Sequence, residues 1–235
     1  MILSPTIALY ALIAGFVPAL LWLQFWLRED IEHPEPRGRI IWTFIVGMLA
    51  VAVTIPLEAY VTDHVATESF LAFLLWATIE ESLKYGAAYL AALRTRYFDE
   101  PVDAVVYMIT AALGFSAIEN TFFILSPLLQ GNSLGTAITI NIRFIGASLL
   151  HIAASGIVGL AIAWAYYKNK TWKRIATVLG LCGAIALHSS FNFFIISDDS
   201  RYILNVFAGV WIAIIILIVL IERIKFIKKA NSSNS

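Results

Sequence analysis

The chain runs to 235 residues, 60% hydrophobic and 14% charged, with sixteen basic and sixteen acidic side chains and a mean hydropathy of +0.82. Soluble domains carry roughly 45–50% apolar and about 25% charged residues, so a soluble globule, a disordered chain and a nucleic-acid binder are excluded. The single cysteine, Cys182, leaves no disulfide framework and no Cys-x-x-Cys motif.

A spanning helix needs about 20 mostly apolar residues. Seven runs qualify: 2–27, 39–61, 69–93, 102–126, 136–167, 173–196 and 202–222. They predict an all-α polytopic membrane protein of about seven transmembrane helices, in one integral-membrane domain over 1–235. The first run lacks a basic residue ahead of it and meets its first, Arg28, only afterwards, which fits a spanning helix better than a signal peptide. Pro5, Pro18 and Pro56 lie in or beside these runs, as membrane helices tolerate. The connections 28–39, 62–69, 94–101 and 167–174 are short and polar, and 127–135 reads as an external loop.

Basic residues predict the orientation. Arg28, Arg37, Arg39, Arg94, Arg96, Lys168, Lys170, Lys173, Arg174, Arg223, Lys225, Lys228 and Lys229 share one side, against Arg143 and Arg201 on the other. The positive-inside rule then puts the N-terminus outside and the C-terminus in the cytoplasm. Trp22, Trp26, Trp42, Trp164 and Trp172 gather near the cytoplasmic ends, as an interfacial belt would.

The third span carries Glu80, Glu81 and Lys84, the fourth Glu119 and Asn120, the fifth His151, and the sixth His188 and Asn192. An ionised group at a helix centre costs roughly 2.5–3.5 kcal/mol, so these side chains must be paired, neutralised or hydrated inside the bundle. At a rise of about 1.5 Å per residue from each cytoplasmic end, Glu80 and His188 lie about 21 Å deep, Glu119 about 24 Å and His151 about 25 Å. Lys84 and Asn192 fall a turn to either side, at about 15 and 27 Å. One shared layer is what an intramembrane active site requires. Glu80 and Lys84 at i,i+4 also fit a structural ion pair, and Glu81, about 100° around the helix, fits a role toward a neighbouring helix. Arg143 reads equally as a headgroup anchor or a site residue, and His33 and His64 as loop residues. Small residues Ser155 and Gly159, with Gly180, Gly183 and Ala184, predict close helix packing beside the layer.

Carboxylates and imidazoles in a low-dielectric layer suit general-base activation of water. Two histidines and a carboxylate equally suit zinc, with His151, His188 and Glu119 as ligands and another glutamate as base. No close ligand spacing is present, which tips the expectation toward a metal-free mechanism. The sequence has no His-Glu-x-x-His and no Gly-x-Ser-x-Gly, and its aspartates sit in loops or at span edges. A membrane hydrolase here would work through glutamate and histidine.

EESLK at 80–84, GFSAIEN at 114–120 and HSSFN at 188–192 together resemble the EExxK, GF-x-x-x-EN and HxxxN motifs of the PrsW-like intramembrane proteases. DEPVDAVVY at 99–107 and HIAASGIVG at 151–159 are similar to that family in the same order, so the likeness covers about 70–196. Related CAAX-type prenyl endopeptidases have a histidine in the second motif, where this chain has Glu119. The resemblance implies catalysis by Glu80, Glu81, Glu119, His151 and His188, supported by Lys84, Asn120 and Asn192. Glu80 or Glu81 would activate water, and His188 with Asn192 would position it or the oxyanion. The implied substrates are single-span membrane proteins, such as anti-sigma factors, met in the lipid bilayer of the cell membrane. A proton- or ion-coupled transporter is the main rival, since buried Glu, His and Lys also form proton relays, although no related halves are evident. A non-catalytic membrane scaffold is the third reading.

Overall fold

The computed structural model describes residues 4–30, 33–196 and 203–232, with side chains for all of these except 29–30, 196, 203 and 226–232. Arg201 lies outside the described residues, as do the side chains of Lys228 and Lys229. The helices are α1 (Pro5–Trp26), α2 (Arg37–His64), α3 (Phe70–Ala88), α4 (Pro101–Leu129), α5 (Ser133–Ile142), α6 (Ser148–Trp164), α7 (Lys170–Ile196) and α8 (Ile203–Ser232). A π turn, Arg143–Ala147, joins α5 to α6, making one helix of membrane length from Ser133 to Trp164. Among the described residues there are therefore seven long helices and no strand. Six are long and apolar enough to cross a membrane by length and composition, and the other, α3, carries Glu80, Glu81 and Lys84. The protein is an all-α, multi-pass integral membrane protein.

Helix starts lie within three residues of the apolar-run edges, and local chemistry moves them. Ser69 accepts from the Ala72 amide at 3.2 Å ahead of α3, and Asn132 from the Gly135 amide at 2.8 Å ahead of α5. Asp103 Oδ2 accepts from the amides of Asp99 and Glu100 at 3.0 and 2.7 Å, closing a capping box at α4. The external loop expected over 127–135 shrinks to 130–132, because Gly131, at φ 66°, lets α4 turn directly into α5. His64 is the last residue of α2 rather than a loop residue, its Nδ1 2.8 Å from the Tyr60 carbonyl. Trp26 is buried, so it belongs to the core and not to an interfacial belt, whereas Trp42, Trp164 and Trp172 are exposed.

Helix α4 is the axis of the bundle: every residue from Pro101 to Ala117 is buried. Small residues permit this. A Cβ on Gly47 of α2 would strike the Ala111 carbonyl, and one on Gly114 the Phe44 carbonyl, so α2 and α4 cross backbone to backbone. The expected small-residue face of α6 is used in the same way, with Gly159 against Val105 of α4. Helix α3 packs against α2, α7, α4 and α6, and a π turn, Tyr89–Leu93, ends it. The Ala91 carbonyl in that turn accepts from Arg39 at 2.7 Å. Helix α8 lays Val210, Ile214, Leu217, Ile221 and Ile224 against the bundle, while Leu204, Trp211, Ile212, Ile215, Ile216 and Val219 face outward, as lipid contact requires.

Candidate active site

On α3, Glu80 and Lys84 are one turn apart and Glu81 is three residues from Lys84, so one ammonium reaches both carboxylates. Lys84 Nζ donates to Glu80 Oε2 at 2.9 Å, Glu81 Oε1 at 2.8 Å and His151 Nδ1 at 2.7 Å. Those three bonds use all of its protons. Lys84 begins a turn nearer the C-terminal end of α3, but helix side chains lean toward the N-terminus, which carries its ammonium into the glutamate layer. Because Lys84 can only donate, His151 Nδ1 accepts, and its Nε2–H donates to Glu119 Oε2 at 2.8 Å. His188 Nδ1–H donates to Glu81 Oε1 at 2.8 Å, and its Nε2 lies 3.9 Å from Glu80 Oε1. Ser155 adds a 3.4 Å bond to Glu81 Oε2.

The second motif sits beside this. Glu119 Oε2 accepts from Arg143 at 2.7 Å as well as from His151, and the guanidinium stacks 4.0 Å from the Phe123 ring centroid. Asn120 also bonds Arg143 through its carbonyl oxygen, and its amide donates to Ser116 and Ser148 at 3.1 and 3.0 Å. Arg143 is thus a site residue and not a headgroup anchor. The π turn explains how. Eight residues apart, Arg143 and His151 would differ by about 80° on an α-helix, and absorbing one extra residue brings them within about 20° of one face.

The cluster borders a cavity of about 530 Å³ lined by Glu58, Trp76, Glu80, Phe115, Glu119, Arg143, His151, His188 and Asn192, among others. Glu80 lines it and Glu81 does not: Glu81 is sealed beneath, fully buried. Asn192, one turn beyond His188, has no hydrogen-bond partner among the described residues and borders the cavity. The sequence-derived residues thus converge, with Glu80, Glu119, His151, His188 and Asn192 at the cavity and Glu81, Lys84 and Asn120 behind it. The sequence reading missed Glu58. Its signal was a carboxylate in the apolar run 39–61, but close enough to the end to pass for a boundary residue.

The model of the PrsW family intramembrane metalloproteases matches residues 35–221. The chain is similar to the proteins named Protease PrsW of Bacillus subtilis, 26% identical over 84% of this chain and 89% of that protein, and of Clostridioides difficile, 25% identical over 78% of each. It is 27% identical to that of Geobacillus kaustophilus over 67% of this chain and 65% of that protein. No solved structure matches. Transport and scaffold roles find no support among these relatives, each named a protease.

The family is described as one of metalloproteases, which would place a metal ion among these residues. One donor atom each from Glu80, Glu81, His151 and His188 lies within 4.8 Å of the others. The Lys84 ammonium, however, stands 2.7–2.9 Å from three of those groups, at the point where a cation would meet them. His151 has spent both nitrogens, on Lys84 and Glu119, so His151, His188 and Glu119 do not converge as a ligand trio either. Catalytic zinc takes three protein ligands. As arranged, the site does not fit a divalent ion.

Proposed function

Because the chain belongs to the PrsW family of intramembrane proteases, we propose that it is an endopeptidase in which Glu80, without a metal, activates water to cut single-span membrane proteins. The observation that carries this is the 3.9 Å gap between Glu80 Oε1 and His188 Nε2 at the cavity edge. A water donating at about 2.8 Å to each acceptor fits that gap and turns its own lone pair toward the cavity. Glu80 takes the proton as the oxygen attacks the peptide carbonyl. The Asn192 amide, with no other partner among the described residues, is the donor for the developing oxyanion. Glu81 fixes the His188 tautomer, Lys84 holds both carboxylates in place, and Glu119 with Arg143 orients His151. In bacteria the substrates would be of the anti-sigma-factor type.

Purified protein in vesicles, incubated with a fluorogenic single-span peptide, tests this reading. Glu80→Gln should lower cleavage by at least about 10²-fold with the fold intact. Chelator should leave the rate unchanged, and the active protein should carry well below one zinc per chain. Undiminished cleavage by Glu80→Gln would sink the glutamate mechanism. Stoichiometric zinc, lost together with activity, would sink its metal-free form.

A further inference from the structure

Hydrolysis of an amide needs two proton transfers, one from the attacking water and one to the departing nitrogen, and the role given to Glu80 covers the first. Lys84 spends its protons on Glu80, Glu81 and His151, and Arg143 is committed to Glu119 and Asn120. Neither is free to protonate an amine.

Glu58 is placed for it. It lies on α2, outside all three motifs, and lines the cavity together with Glu80, Glu119 and His188. Its backbone is pinned, since the carbonyl accepts from Thr62 Oγ1 at 2.8 Å and Trp76 Nε1 at 3.4 Å. Its carboxyl shares the cavity with those of Glu80 and Glu119. Glu80 is held as a carboxylate by Lys84 and Glu119 by Arg143, at 2.9 and 2.7 Å. Glu58 faces these two carboxylates with no cation paired to it among the described residues, so the proton of the group belongs to Glu58.

We infer that Glu58 is a further catalytic residue, the general acid that protonates the leaving amine. This rests on the hydrolytic role of Glu80. Water gives one proton to Glu80 as its oxygen bonds to the carbonyl carbon. When the tetrahedral intermediate collapses, the C–N bond breaks and the nitrogen takes the proton of Glu58. The proton on Glu80 then passes to Glu58 across the cavity they share, restoring both groups with no outside donor.

The test uses the single-span peptide made twice, with an amide and with an ester at the bond that the wild-type protein cuts. An ester releases an alcohol, which depends far less on a proton donor. Glu58→Gln, nearly isosteric and checked by thermal unfolding, should slow the amide by about 10²–10⁴-fold and the ester little. Glu80→Gln should slow both. Equal losses on both bonds for Glu58→Gln, or no loss, would overturn the assignment, whereas an active Glu80→Gln would instead overturn the hydrolytic role of Glu80. Infrared spectra of the reconstituted protein give a readout independent of turnover. The carboxylic-acid C=O band of the wild type should weaken in Glu58→Gln, and an unchanged band would place the proton elsewhere and end the proposal.

Discussion

At the scale of single residues, Lys84 decides whether the cluster can exist in a membrane. It is fully buried and pairs with two buried carboxylates at 2.8 and 2.9 Å. Removing one partner of a buried pair costs about 3–5 kcal/mol, because the remaining charge has neither water nor a counter-ion. Lys84→Met should therefore lower the thermal midpoint in detergent sharply, and adding Glu81→Gln should recover part of the loss. A midpoint unchanged in Lys84→Met would show that the carboxylates have another source of compensation. The i,i+4 spacing made the Glu80–Lys84 pair legible from sequence. That the same ammonium would also reach His151 was not, since His151 is 67 residues away.

At the scale of elements, the π turn Arg143–Ala147 adjusts the rotation of α5 against α6 so that Arg143 and His151 meet on Glu119. Deleting Ile145, which is exposed, should return the segment to α geometry with Arg143 and His151 seven residues apart, about 20° from one another. The deletion variant should fold and keep activity within about 10-fold, by the small rotation this implies. Deleting Ala153, in regular helix beyond the turn, should instead rotate the rest of α6 by about 100° and abolish folding. Equal damage from both deletions would assign the turn no such role. Position along a span gives depth but not rotation about the helix axis, so Arg143, near the outer end of its run, read equally as anchor or site residue.

At the scale of the whole molecule, the cavity is set off toward one end of the bundle. Its lining runs over Val51–Thr62 of α2, Phe115–Phe123 of α4 and His188–Ile195 of α7, the halves farthest from the basic connections. With the orientation given by the positive-inside rule, water and substrate should enter from the extracytoplasmic face. In a background lacking Cys182, a membrane-impermeant thiol reagent should label Thr62→Cys and Ile195→Cys from outside and Lys168→Cys only from the cytoplasmic side. The reverse pattern would invert the topology. By itself, the sequence determined the helices and the shared polar layer, since apolar length and the cost of burying charge are properties of single segments. It placed Glu80, Glu119, His151 and His188 in that layer without their partners. Only the packing of α2, α3, α4, α6 and α7 decided which carboxylate faces the cavity, which is sealed by Lys84 and His188, and that Glu58 joins them. Rotation about each helix axis is set by contacts between helices, and no single segment encodes it.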